Sequence, residues 1–199
     1  MNYVKQIMTD WRLLQKVIIK EDAKIDIFLQ NKSIEKLANF LIVAEDHRYK
    51  YHIGFDIIAI FRACFKFLIY KKNEGASTIE QQLVRVITND YRYSIYRKIK
   101  EIILATYLKC VLDKKHIAII YLNIAYYGTN YQSLDAILKK YRLTKYDQID
   151  DYICAEIVAR LKYPEPLYCN IHRVQQINNR VIHILHLYRK YSRLKFYLI

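Results

Sequence analysis

Apolar positions recur at helical spacing along most of this chain. Ile34, Ala38 and Leu41 fall on one line after Ser33, and that line runs on to Glu45. Ser33 is the expected N-cap, with Glu35 in the first turn. The apolar run "FDIIAIFRACFKFLIY" (55–70) is broken by Asp56, Arg62 and Lys66, and predicts a buried or surface-seeking helix over about 56–70. The polar "KKNEGASTIEQQLVRVI" (71–87) leads into a helix that Ser77 or Thr78 can cap. Its spacing turns Gln81, Gln82 and Arg85 toward one space. In "YRKIKEIILATYLKCVL" (96–112), Arg97, Glu101, Leu104 and Leu108 form one stripe. Asp113 is expected to cap a helix carrying Ile117, Ile120, Tyr121 and Ile124 on one face, with Gly128 ending it. "DDYICAEIVARL" predicts a helix stopped before Pro164, and Val174, Ile177, Val181, Ile184, Leu185 and Tyr188 mark a closing one. No sustained strand alternation, internal repeat or low-complexity linker interrupts this pattern. The expected fold is one all-α domain over 33–199, after an N-terminal extension over 1–32.

Composition sharpens that picture. With 53% hydrophobic residues in 199, the chain can bury a full core. Three Gly and two Pro are too few for the many turns of an all-β fold. The formal charge of +14 calls for an anionic partner: nucleic acid, a lipid surface or a phosphorylated substrate. No nucleic-acid motif is present, which argues against the first. Twenty Tyr and seven Phe interleaved with basic residues suit a membrane interface. Cys64, Cys110, Cys154 and Cys169 form no C-x-x-C pair, so they read as buried free thiols rather than zinc ligands. "WRLLQKVIIK" is too short and too charged to span a bilayer, and neither a signal peptide nor a transmembrane segment is visible.

The candidate chemistry lies where the apolar lines meet carboxylates. If the faces bearing Glu45 and Glu101 share a core, both groups border one cleft. Partial burial makes a carboxylate a competent general acid or base, and paired carboxylates act at sugar carbons. Arg85, Arg97 and Lys98 would bring positive charge suited to a diphosphate leaving group. Plainer roles stay open for each. Glu45 can be a solvated helix end. Arg97–Glu101 can be a surface pair worth roughly 0.3 kcal/mol. Lys114 can be a solvated charge. His52 can fix the turn before Gly54 rather than bind a metal.

The order of the motifs favours chemistry. "EDHRYKYHIGFD" from Glu45 follows E-D-x-x-F-x-x-H-x-G-x-D, with Tyr49 for Phe. "GASTIEQQL" from Gly75 follows G-x-S-T-I-x-Q-Q-L, and "RKIKE" (97–101) follows R-K-x-x-E. "KKHIAIIYLN" carries Lys114, Ile117 and Asn123 of K-x-x-I-x-x-x-Y-L-N, and "ARLKYP" follows A-x-L-x-x-P. In this set and order, over about 44–170, the chain resembles the peptidoglycan glycosyltransferases of glycosyltransferase family 51, known as monofunctional transglycosylases and as a domain of penicillin-binding proteins. Departures from the family pattern are Val86 for Asn, Tyr93 for a phosphate-binding Arg with Arg92 beside it as a substitute, and Asn130 and Ser133 for glycines.

The resemblance implies a lysozyme-like helical fold with a small membrane-facing jaw lobe at about 55–75. It implies an inverting transferase that polymerises lipid II, a disaccharide on a polyprenyl diphosphate, into β-1,4 glycan. Glu45 would be the base and Glu101 would orient the donor site. Asp46, Ser77, Thr78, Gln81, Gln82, Arg85, Arg97, Lys98 and Asn123 would bind substrate or brace the cleft. A divalent cation (Mg or Mn), a membrane surface at the extracytoplasmic face of a bacterial inner membrane, and a membrane-anchored partner protein are further expectations. The alternatives are a weakened homologue that binds lipid-linked precursor or glycan, and an enzyme making a different polymer.

Overall fold

The computed structural model describes residues 3–25, 31–71 and 75–193. The described residues form an all-α, lysozyme-like domain of α1 (Tyr3–Ile25), α2 (Lys32–Glu45), α3 (Ile57–Tyr70), α4 (Ile79–Thr88), α5 (Ile95–Val111), α6 (Lys114–Ile124), α7 (Leu134–Lys140), α8 (Asp151–Lys162) and α9 (Ile171–Arg193). Among them only isolated bridges from Gly128 to Tyr131 and Glu165 stand in for sheet.

α2 and α6 form the centre. α6 is buried from Ile117 through Asn123, as expected of a helix apolar on every side. α2 buries Ile34, Leu37, Ala38 and the run Phe40–Val43 before it reaches Glu45. α4, α8 and α9 pack around this pair, and Phe40 stacks on Tyr188 of α9 with ring centroids 3.8 Å apart. α1 lies within the stretch read as an extension, yet Leu14 and Ile18 enter the common core. Lys100 of α5 is buried and paired with Asp10 of α1 at 2.7 Å and Asp90 at 2.8 Å, which pins α1 and the α4–α5 connection to α5.

Several caps follow the local rules. Thr78 caps α4, Asp113 caps α6 and Asp56 caps α3, each accepting from a first-turn N–H. Two expectations fail. Asn31, not Ser33, caps α2, and its side chain accepts from the Ser33 N–H. α6 ends at Ile124 rather than Gly128, because the chain turns off at Ala125 and the glycine is used in a close approach to Glu165. α1 and α7 were not expected, although Ile7, Trp11, Leu14 and Ile18 fall on one helical line along α1. Of the four thiols expected to be buried only Cys154 is, with Cys64, Cys110 and Cys169 exposed. α3 resolves the two readings of 55–70: only Ala59 is buried, while Ile57, Ile58, Phe61, Phe65 and Leu68 are exposed. No described helix is long and apolar enough to cross a membrane.

The loop between α2 and α3 lies flat on α5. Gly54 has φ +103°, and a Cβ there would sit 2.5 Å from the Ala105 carbonyl oxygen. Its own carbonyl accepts from Thr78 Oγ1 at 2.7 Å, tying the loop to the start of α4. Gly54→Ala is therefore expected to cost about 2 kcal/mol or more from the backbone conformation alone. Urea unfolding followed by circular dichroism checks this, and a loss below about 0.5 kcal/mol would contradict the crowding.

Candidate active site

Glu45 is the last residue of α2 and Asp46 its C-cap. The helix thus delivers two adjacent carboxylates where its core-facing line runs out. They have different tasks. Asp46 points inward: its Oδ2 accepts from His52 Nε2 at 2.9 Å and from the Ile79 N–H at 3.2 Å. That joins the end of α2 to the start of α4. The Gly54 N–H donates to His52 Nδ1 at 3.3 Å, so the network assigns the proton to Nε2. His52 therefore fixes the turn before Gly54.

Glu45 borders an open recess with Asp46, His47, Arg48, Asp56, Arg62 and the strip Gly75–Thr78. Gln82 Nε2 donates to its Oε2 at 3.2 Å, and Arg180 Nη2 donates to its Oε1 at 2.9 Å. Tyr121 in turn donates its hydroxyl to Gln82 Oε1 at 2.6 Å.

The second carboxylate, Glu101, is only 1% exposed. It is not half of a surface pair, because three cations converge on it. Arg85 grips it with two bonds, Nε to Oε1 at 2.8 Å and Nη2 to Oε2 at 3.1 Å. Arg97 donates to Oε1, and Lys98 Nζ lies 3.6 Å from Oε2. Ser77 Oγ accepts from Lys98 at 2.9 Å and from Arg85 at 3.3 Å, while Gln81 Oε1 accepts from Lys98. Three positive charges against one negative leave the cluster cationic. The cluster lines an opening of about 440 Å³ whose other wall is Tyr93, Ser94 and Ile95. Hydrogen bonding to Glu101 raises the Arg85 pKa, so it stays charged. Burial pushes the Lys98 ammonium below the usual lysine range, against the pull of Glu101.

The two openings share Gly75, Ala76 and Ser77. Glu45 and the cationic cluster thus flank one strip of backbone. Of the residues singled out from the sequence, the structure gathers Glu45, Asp46, Ser77, Thr78, Gln81, Gln82, Arg85, Arg97, Lys98 and Glu101 here. Asn123 stands apart: it is buried, and its amide donates to Glu21 of α1 at 3.2 Å. Arg92 does not take the place left by Tyr93, because Asp90 holds it through two bonds of 2.9 Å. Arg180 and Tyr121 were missed as site residues. The available signal was an arginine on the buried line Ile177–Val181–Ile184 of α9.

Asp46, His52 and Glu80 place ligand atoms within 4.8 Å of one another, all buried. They do not fit a resident divalent cation. Lys114 already occupies the position, donating to Glu80 Oε1 and lying 3.3 Å from His52 Nδ1. It also sits 4.3 Å above the Tyr49 ring. Lys114 is thus a partly buried cation paired within the fold, not a solvated charge, and burial lowers its pKa. Removing it as Lys114→Met strands the fully buried Glu80 and should cost about 3 kcal/mol. Thermal unfolding measures this, and an unchanged midpoint would show that Glu80 needs no counter-charge.

Comparison with known proteins agrees with this geometry. A family described as "Transglycosylase" matches residues 12–188. A monofunctional glycosyltransferase of Staphylococcus saprophyticus is 38% identical over 100 residues, covering 50% of this chain and 37% of that protein. Penicillin-binding protein 1A of Rickettsia felis is 34% identical over 148 residues, covering 71% of this chain and 18% of that protein. Penicillin-binding protein 1A of Vibrio cholerae is 38% identical over 108 residues, 54% of this chain and 13% of that protein. The chain thus spans well under half the length of these relatives. The family match nonetheless runs from α1 into α9 and takes in both carboxylates and the cationic cluster, and on that basis the chain belongs to the transglycosylase family.

Proposed function

We propose that the chain is a peptidoglycan glycosyltransferase, an inverting enzyme that extends glycan from a polyprenyl-diphosphate-linked disaccharide such as lipid II. One observation carries the proposal. A carboxylate held at both oxygens borders an open recess, and that recess adjoins a cationic opening across the strip Gly75–Ser77. A base next to a diphosphate site is what this transfer requires.

Glu45 takes the proton from the acceptor sugar's 4-hydroxyl as that oxygen attacks the donor's anomeric carbon. The new C–O bond forms as the bond to the phosphate oxygen breaks, and an α-linked donor becomes a β-1,4 link. The electron pair leaves with the polyprenyl diphosphate. Arg85, Arg97 and Lys98 meet that developing charge with preorganised N–H donors. Glu101 touches no substrate in this scheme; it holds the cations in place. A divalent cation enters only as a counter-ion carried on the substrate's diphosphate. The exposed Ile57, Ile58, Phe61, Phe65 and Leu68 of α3, with Arg62 and Lys66 on the same helix, suit an anionic membrane surface. This is where a lipid-linked substrate would be met, at the extracytoplasmic face of a bacterial membrane.

A second reading has its own support. Tyr93 is fully exposed at the rim and Arg92 is held by Asp90, so the cationic opening lacks the guanidinium that the family pattern places there. This favours a weakened transferase that retains precursor binding.

Incubation of lipid II with wild type and with Glu45→Gln, read as lysozyme-sensitive glycan on a gel, separates the two. Polymer from wild type and a loss of about 10³-fold in the variant is expected. Binding of lipid II without any polymer would establish the second reading. Diphosphate affinity should also fall at alkaline pH before ordinary lysines titrate near about 10.4, because Lys98 loses its charge as pH rises through its lowered pKa. Lys98→Arg should remove that fall, as a titration of lipid II affinity against pH would show.

A further inference from the structure

Glu45 is the last residue of its helix, a position where side chains usually fray. Here it is held by an arginine from the other end of the chain. Arg180 Nη2 donates to Glu45 Oε1 at 2.9 Å and to the Ala44 carbonyl at 2.6 Å. One NH₂ group with two hydrogens therefore grips both the proposed base and the peptide before it. The Ala44 carbonyl is among the last four of α2, which have no partner within the helix, so the guanidinium also serves as a C-terminal cap. The arginine and Glu45 side chains are 13% and 15% exposed. An arginine–carboxylate pair ordinarily closes as a two-pronged fork. This one does not, and Arg180 Nε is buried with no hydrogen-bond partner among the described residues. The side chain is thus placed to reach Glu45 and Ala44 rather than to satisfy itself.

The other oxygen is fixed in a complementary way. Gln82 Nε2 donates to Glu45 Oε2 at 3.2 Å, and Tyr121 donates to Gln82 Oε1 at 2.6 Å. With its carbonyl already serving the tyrosine hydroxyl, the amide has a set orientation. Both groups facing Glu45 are then donors and neither can take a proton from it. An ionised carboxylate has about four lone-pair sites, and these contacts use two. We propose that Arg180 is a positioning residue for Glu45, acting with the Tyr121–Gln82 couple to leave the remaining lone pairs of the base facing the recess. When the proton arrives from the acceptor hydroxyl, charge at Glu45 is neutralised, but the bond to the Ala44 carbonyl keeps the guanidinium in place.

This rests on Glu45 being the base, so the test pairs catalysis with a readout that needs no activity. Arg180→Gln and Arg180→Lys are compared with wild type for kcat and KM on lipid II, normalised to folded protein. Arg189→Gln, an exposed change on the same helix, is the control. Arg180→Gln should lower kcat by about 100-fold with KM unchanged, and Arg180→Lys by less. Within a Glu45→Gln background, Arg180→Gln should have no further effect, since no base remains to position. In parallel, the Glu45 side-chain carboxyl is followed by ¹³C NMR, assigned through Glu45→Gln. Its resonance should shift and broaden in Arg180→Gln and stay put in Arg189→Gln. A merely structural arginine would lower the melting temperature while kcat per folded molecule stayed within about threefold of wild type, and that result overturns the proposal. A rise in KM alone would make Arg180 a substrate contact and overturn it too. If wild type makes no polymer, the proposed activity has failed, and an unmoved Glu45 resonance in Arg180→Gln would overturn the positioning role independently.

Discussion

Everything at the cleft depends on the Asp46 carboxylate joining the end of one helix to the start of another. A C-terminal residue of α2 and the first N–H groups of α4 have opposite needs. The first is free to swing, and the second lacks acceptors. Asp46 meets both by accepting from Ile79, while His52 holds its position from the side. With that joint closed, Glu45 and Gln82 come within hydrogen-bond distance although they belong to different helices. The glycine loop completes the joint, because Thr78 caps α4 and also donates to Gly54.

Charge is distributed unevenly around this joint, and the imbalance has a purpose. Inside it, Lys114 pairs with the buried Glu80, and Asp46 is held by the neutral His52 and the Ile79 N–H, so an ammonium stands where a metal ion would sit. Around Glu101, one buried carboxylate faces Arg85, Arg97 and Lys98, so excess positive charge remains. A buried ion pair is weak evidence for stability, but an unbalanced one marks where an anion belongs. The excess is concentrated at the opening beside Tyr93, within the molecule's general positive field. Around Glu45 the arrangement differs, because it meets one guanidinium and one amide, which use two of its lone-pair sites.

The exposed face of α3 gives the cleft its setting. A helix that buries only Ala59 cannot be held by core packing alone. Its exposed Ile57, Ile58, Phe61, Phe65 and Leu68 would be covered by an apolar phase such as the membrane surface of the proposed function.

Much of this was legible in one dimension. The carboxylates ending apolar lines, the caps at Thr78 and Asp113, and the spacing of Arg85, Arg97, Lys98 and Glu101 all follow from helical periodicity and local hydrogen bonding, which act over a few residues. The motifs set the family for the same reason. Four features were not legible. Arg180 lies 135 positions from Glu45, and no periodicity links them. Lys114 looked solvated because its partner Glu80 sits on another helix. Asn123, though within a motif, turns to Glu21 of α1 rather than to the cleft. Arg92 was drawn to Asp90, not to the cationic opening. For Arg180, Lys114 and Asn123 the deciding contact spans separate elements, and only packing chooses which partner a polar side chain meets, whereas Arg92 is held by a neighbour two residues away. The sequence by itself determined the helices, their apolar faces and the chemical groups available at their ends. The tertiary structure alone decided which of those groups face one another, because a buried charge is settled by whatever neighbour the fold supplies.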